Sequence, residues 1–131
     1  MKTSIQIEVR PTEIDVMGHV NNAKYLEYIE WSREIWYNQA GVPFDQLTEM
    51  GIGTVTVRIE IDYRKEATLG QKLTVTTEPK HRGRSSFVFY QTISNEQGEL
   101  VAEAEVTSVT IDLKERKSRP LPEEIAKWFG K

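Results

Sequence analysis

The chain has 131 residues, enough for one domain with a buried core that needs no disulfide or metal staple. Its 17 Lys and Arg against 20 Asp and Glu leave a net charge of −3, which removes any overall electrostatic case for nucleic acid or an anionic membrane. With no cysteine, thiol catalysis and disulfides are excluded, and with only His19 and His81 as histidines neither a metal nor another cofactor is expected. The first residues, MKTSIQIEVRP, contain no apolar signal core, and nowhere do about 18 apolar residues run together. A single domain over residues 1–131, cytoplasmic and not spanning a membrane, is therefore expected.

Ile5, Ile7 and Val9 alternate with Gln6, Glu8 and Arg10, the period of a half-buried strand, and Pro11 removes the donor needed to extend it. A long helix is predicted from residue 22 to about 40, with Tyr25, Tyr28, Ile29, Ile35 and Trp36 at helical spacing and Glu27, Glu30 and Glu34 on the other side. Asn21 is the expected N-cap, Val20 and Tyr25 the expected hydrophobic staple, and Gly41 followed by Pro43 the stop. A short turn or helix is expected over 44–50, before Gly51 and Gly53 reopen the chain. Val55, Val57, Ile59, Ile61 and Tyr63 then alternate with polar residues and are expected on one apolar face of a long strand, which Leu69 and Gly70 end in a turn. Further strands are predicted at Leu73, Val75 and Thr77, at 87–93, and at 100–112 after a hairpin at 95–98. Ala102, Ala104, Val106 and Ser108 share a face of the last strand and leave room for a bulky helix to approach. Residues 122–129 read as a short terminal helix, with Trp128 and Phe129 as a docking pair.

One long helix and about five strands suit an α+β arrangement in which a curved antiparallel sheet wraps the helix, the hotdog architecture. Such a sheet ends in unpaired edges, so a twofold dimer is expected, with dimers able to pair further into tetramers.

An Asp a few residues ahead of a helix is most often a turn residue or a cap. Here Asp15 precedes Gly18, His19 and the Asn21–Asn22 pair, so that with Asn21 as cap the amides of Asn22, Ala23 and Lys24 open the helix. Those amides, with the helix dipole, favour a developing oxyanion. Asp15 would then face an electrophile.

The set Asp15, Gly18, His19, Val20, Asn21, Asn22, Tyr25 and Arg33 resembles the signature of hotdog-fold acyl-CoA thioesterases of the 4-hydroxybenzoyl-CoA thioesterase type. Later matches are Tyr63-Arg64 before Leu69-Gly70, the segment Arg82-Gly83-Arg84-Ser85-Ser86, and the strand 102–112. The resemblance implies an acyl-CoA substrate, Asp15 as nucleophile or general base, and the Asn22 amide as the group that polarises the thioester carbonyl. It also implies that Arg82, Gly83, Arg84, Ser85 and Ser86 contact CoA, often across a dimer. Read without it, that segment is a solvated basic turn whose Arg forks suit phosphate.

His19 has two readings: it shapes the turn, or it acts as a secondary base. In the related plant acyl-carrier-protein thioesterases a catalytic His sits at the matching position within an Asp, Asn and His set, but the Asn of that set is Met17 here. Tyr25 is the aromatic expected to border the acyl pocket, with Ile52, Val55 and Val57 setting its volume. Hydrolysis of an acyl-carrier-protein thioester, or acyl-CoA binding without catalysis, are the alternatives. A hotdog dehydratase is disfavoured because His19 is followed by Val20-Asn21 and not by Phe-Pro.

Overall fold

The computed structural model describes residues 1–130; Lys131, the last residue of the expected domain, lies outside the described residues. Strand β1 (Thr3–Glu8) leads through a 3-10 turn at Pro11–Glu13 into helix α1 (Asn22–Gln39) and the short helix α2 (Phe44–Glu49). Strands β2 (Ile52–Tyr63), β3 (Lys72–Arg82), β4 (Ser86–Ser94) and β5 (Leu100–Asp112) follow, then a two-residue strand β6 (Lys117–Ser118) and helix α3 (Glu123–Ala126). All pairings are antiparallel in the order β1-β3-β4-β5-β2, and β6 adds to the end of β5.

Helix α1 has the predicted extent because both ends are satisfied. The Asn21 side chain accepts from the Ala23 amide at 2.9 Å, and beyond the Ala40 cap the chain turns at Gly41, whose φ of 83° suits glycine. The helix lies over β1, β3 and β4. Tyr25, Tyr28, Ile29 and Trp36 are buried as predicted, but Ile35 is only half-buried, and Ser32, Arg33 and Tyr37 are buried with the apolar set.

The reason is a polar belt between two apolar clusters. Tyr25, Tyr28 and Ile29 pack with Leu73, Val75 and Ala104 on one side of it, and Trp36 and Tyr37 pack with Phe87, Phe89 and Phe129 on the other. In the belt, Arg33 Nη1 donates to Gln91 Oε1 at 3.0 Å, while Gln91 Nε2 donates to the Ile29 carbonyl at 2.9 Å and to Thr77 Oγ1 at 2.7 Å. Ser32 Oγ completes it, 2.6 Å from Thr77 Oγ1. Burial pushes the Arg33 guanidinium below its ordinary pKa, against the pull of Tyr37 and Glu30. The small face predicted on β5 is buried from Ala102 through Ser108.

The single apolar face predicted for β2 is corrected. The β2–β5 register shifts between Thr56 and Arg58, so Val57 is bulged. Ile59, Ile61 and Tyr63 oppose the buried Val106, Ala104 and Ala102, whereas Val55 opposes Val109 on the other face. The 3-10 turn and β6, which carry no apolar period, were not predicted.

Buried Glu13 anchors the entry to the helix. Its carboxylate accepts from the Tyr28 hydroxyl at 2.9 Å, from the Arg10 amide at 2.9 Å and from the Arg10 guanidinium at 3.2 Å. Burial alone would raise its pKa, but these bonds together hold it below the ordinary 4.5. This stabilisation is complete above that ordinary value and is lost as pH falls through the lowered one. Tyr28→Phe is expected to cost about 1–2 kcal/mol in urea unfolding at pH 7, and less in acid as Glu13 protonates. Gln91→Leu, which strips Arg33 of its acceptor, is expected to cost about 3 kcal/mol in the same measurement.

Candidate active site

Between Glu13 and α1 the chain makes a tight hairpin. Ile14 bridges to Val20, the Asp15 amide donates to the His19 carbonyl at 2.8 Å, and the Gly18 amide donates to the Asp15 carbonyl at 3.0 Å. Gly18 closes this turn at φ 79°, a conformation that strains other residues. Val16 and Met17 form its exposed tip, so backbone bonds and not packing hold Asp15 in place. One carboxylate oxygen of Asp15, Oδ1, accepts from the Met17 amide at 2.9 Å, with the His19 amide farther off at 3.4 Å. Oδ2 has no partner among the described residues.

The first turn of α1 lines the same cavity as this acid. Of its opening amides, Ala23 donates to the Asn21 side chain and Lys24 to the Asn21 carbonyl at 2.8 Å. The Asn22 amide makes no hydrogen bond among the described residues. Its carbonyl is taken, by the Tyr63 hydroxyl at 3.2 Å. The Tyr63 ring rests on Tyr25, with ring centres 5.4 Å apart, and the Tyr25 hydroxyl accepts from the Ala67 amide at 3.2 Å. Burial raises the Tyr25 pKa, which keeps it a neutral wall residue.

An open cavity of about 520 Å³ is lined by Asp15, His19, Val20, Asn22, Tyr25, Tyr63, Arg64, Lys65 and Glu66. The four expected site residues Asp15, His19, Asn22 and Tyr25 therefore meet in one cavity, with Gly18 in the turn that shapes it. Among the described residues, no cluster of His, Cys, Asp and Glu suited to a metal ion is present, and no helix is long and apolar enough to cross a membrane.

The segment Arg82-Gly83-Arg84-Ser85-Ser86 is not brought to this cavity within one chain. Tyr63 pairs with Ala102 on β5, whereas Ser86 pairs with Val109, seven residues and about 23 Å farther along the strand. Ile52, Val55 and Val57 also lie toward that far end and do not line the cavity. Sequence reading missed Glu66. No periodic or motif signal marks it, because its place depends on a loop docking against the Asp15 hairpin.

The model of the thioesterase-like superfamily matches residues 9–129. The long-chain acyl-CoA thioesterase FadM of Escherichia coli strain K12 is 39% identical over 122 residues, which span 92% of this chain and 91% of FadM. The acyl-CoA thioester hydrolase YbgC of Escherichia coli O6:H1 is 28% identical over 123 residues, 94% of this chain and 92% of YbgC. The crystal structure of Slr0204, a 1,4-dihydroxy-2-naphthoyl-CoA thioesterase from Synechocystis, matches with a TM-score of 0.87 at 25% identity, over 95% of this chain and 92% of that one. The curved sheet around α1 and these matches agree: this chain belongs to the thioesterase-like superfamily and has its hotdog fold.

Proposed function

We propose that this chain hydrolyses acyl-CoA thioesters, with Asp15 as nucleophile or general base and the Asn22 amide as oxyanion donor. The observation that carries this reading is the unpaired Asn22 amide on the same cavity as the Asp15 carboxylate. It is supported by likeness to FadM and YbgC, which are named as acyl-CoA thioesterases.

A thioester needs little more than these two groups. Its carbonyl is weakly stabilised by resonance, and a thiolate leaves without an acid. As base, Asp15 takes a proton from water; the water oxygen bonds to the carbonyl carbon, the C–S bond then breaks, and its electrons leave on the CoA thiolate. As nucleophile, an Asp15 oxygen bonds to that carbon and expels the thiolate, and water then cleaves the resulting anhydride. In both routes the tetrahedral oxyanion accepts from Asn22 N–H, a contribution of about 3 kcal/mol for a well-placed donor.

The reading extends to a dimer. Strand β2 is an unpaired edge of 12 residues, and Val55, Val57, Ile59 and Tyr63 on it are exposed. Antiparallel pairing of β2 with its copy would cover this edge. It would also set the Ile52 end of one copy beside the Tyr63 end of the other, so that the Arg82–Ser86 hairpin of one copy approaches the other copy's Asp15. The two guanidinium groups then suit the phosphates of CoA.

Asp15→Ala is expected to lower kcat for thiol release from palmitoyl-CoA by roughly 100-fold or more, and unchanged turnover would refute the role. In single turnover in ¹⁸O-water a nucleophilic Asp15 acquires label where water attacks its own carboxyl carbon of the anhydride, and hydroxylamine trapping of the anhydride marks that route where water attacks the acyl carbon. Arg82→Ala with Arg84→Ala should raise KM with kcat little changed. Mixing that double variant with Asp15→Ala should restore wild-type KM in mixed dimers, because one of their two sites then has both an intact acid and an intact hairpin.

A further inference from the structure

Glu66 shares the cavity of Asp15, yet the hydrolysis proposed above gives it no part. Its Oε2 lies 3.0 Å from His19 Nε2. The carboxylate is 69% exposed and the imidazole 32%, so their attraction alone contributes little. What gives the pair consequence is the loop that presents it.

The loop is held on several sides. The amides of Arg64 and Lys65 both donate to the Val101 carbonyl, at 2.8 and 3.1 Å. Their side chains reach the same strand and its hairpin, Arg64 Nε to Glu103 at 3.2 Å and Lys65 Nζ to Glu99 at 2.6 Å. Ala67, fully buried, donates its amide to the Tyr25 hydroxyl and accepts the Val20 amide at 2.9 Å on its carbonyl. Thr68 bridges to His19 through the backbone. Glu66 is thus carried by a segment tied to β5, to α1 and to the Asp15 hairpin, and it is set against the imidazole before any substrate arrives.

We infer that Glu66 is a positioning residue for His19: its carboxylate accepts the Nε2 proton, which leaves Nδ1 as the nitrogen free to take up a proton at the edge of the Asp15 cavity. This rests on the thioesterase reading for its part in the reaction, but the pairing itself does not. A carboxylate partner fixes a histidine's tautomer and favours its protonated form. The charged and titratable groups around the imidazole are Asp15 on its own hairpin, Tyr25 on α1, Tyr63 at the end of β2, and Arg64, Lys65 and Glu66 on the loop. Of the acids here, Glu66 is the one at hydrogen-bond distance from the ring.

The test is the ¹⁵N NMR assignment of the His19 tautomer in wild type and Glu66→Gln, which is tractable because His81 is the only other histidine. Glu66→Gln should weaken the preference of His19 for the Nε2–H tautomer. In thiol release from palmitoyl-CoA, kcat should fall a few-fold in the same variant with KM little changed. Glu66→Gln should change nothing further in a His19→Ala background. A His19 tautomer unmoved by Glu66→Gln would overturn the pairing. A changed tautomer with unchanged kcat would overturn the positioning role while leaving the thioesterase reading intact. A changed tautomer in a protein whose wild type releases no thiol from any acyl-CoA would overturn the reaction it is said to serve, not the pair.

Discussion

The site depends on how one helix is held against the sheet. Helix α1 carries the Asn22 amide at its first turn, so any rotation or slide of the helix would carry that amide away from Asp15. Apolar packing alone is tolerant of small slides, because one aliphatic contact replaces another. The belt of Ser32, Arg33, Thr77 and Gln91 is not, since three of its hydrogen bonds join a particular helix residue to a particular strand residue and the fourth ties Gln91 to Thr77 across two strands. At the N-terminal end the Tyr28–Glu13 bond adds a second fixed point, and Asn21 N–H donates to the Glu13 carbonyl at 2.9 Å. The helix start and the hairpin bearing Asp15 are therefore tied through one buried acid.

That rigidity lets the site be sparse. A side chain and a main-chain N–H suffice when both are positioned in advance, because little reorganisation remains for the reaction itself. The amide is left free by a division of labour at the cap: Asn21 takes Ala23 and Lys24, and Tyr63 takes the Asn22 carbonyl but not its N–H. Tyr63 reaches there because the bulge at Val57 shifts the phase of β2 and sets Ile59, Ile61 and Tyr63 opposite Val106, Ala104 and Ala102. An irregularity in an edge strand is thus coupled to the geometry of a helix terminus.

The protein's charge shows the same local logic. The net charge is small, and many basic side chains are already engaged by acids, among them Arg64 with Glu103, Lys65 with Glu99 and Lys80 with Glu105. Attraction for an anionic substrate must come from particular groups and not from a general field. The proposed arrangement, with hairpin cations supplied by a second copy, answers that need and gives the exposed β2 edge a use.

Much of this was legible in the residues, for reasons that are local. The bounds of α1 follow from Asn21 and Gly41, which act within a turn of where they stand, and the strands β1, β3, β4 and β5 follow from period-2 burial. The candidate acid and its amide also lie within seven residues of each other, so the cap assignment alone could place them together. Other features could not be read this way. The bulge at Val57 depends on the register imposed by β5, the burial of Arg33 on an acceptor 58 positions away, and the pairing of Glu66 with His19 on the docking of a loop held by β5 and Tyr25. Sequence by itself determined the elements, the turn and the capping at the helix start, because capping, glycine geometry and hydrophobic period act between near neighbours. Only the tertiary structure decided which face of β2 points inward, which polar groups are buried together and which acid meets the histidine, because those outcomes are set by partners that only folding brings into contact.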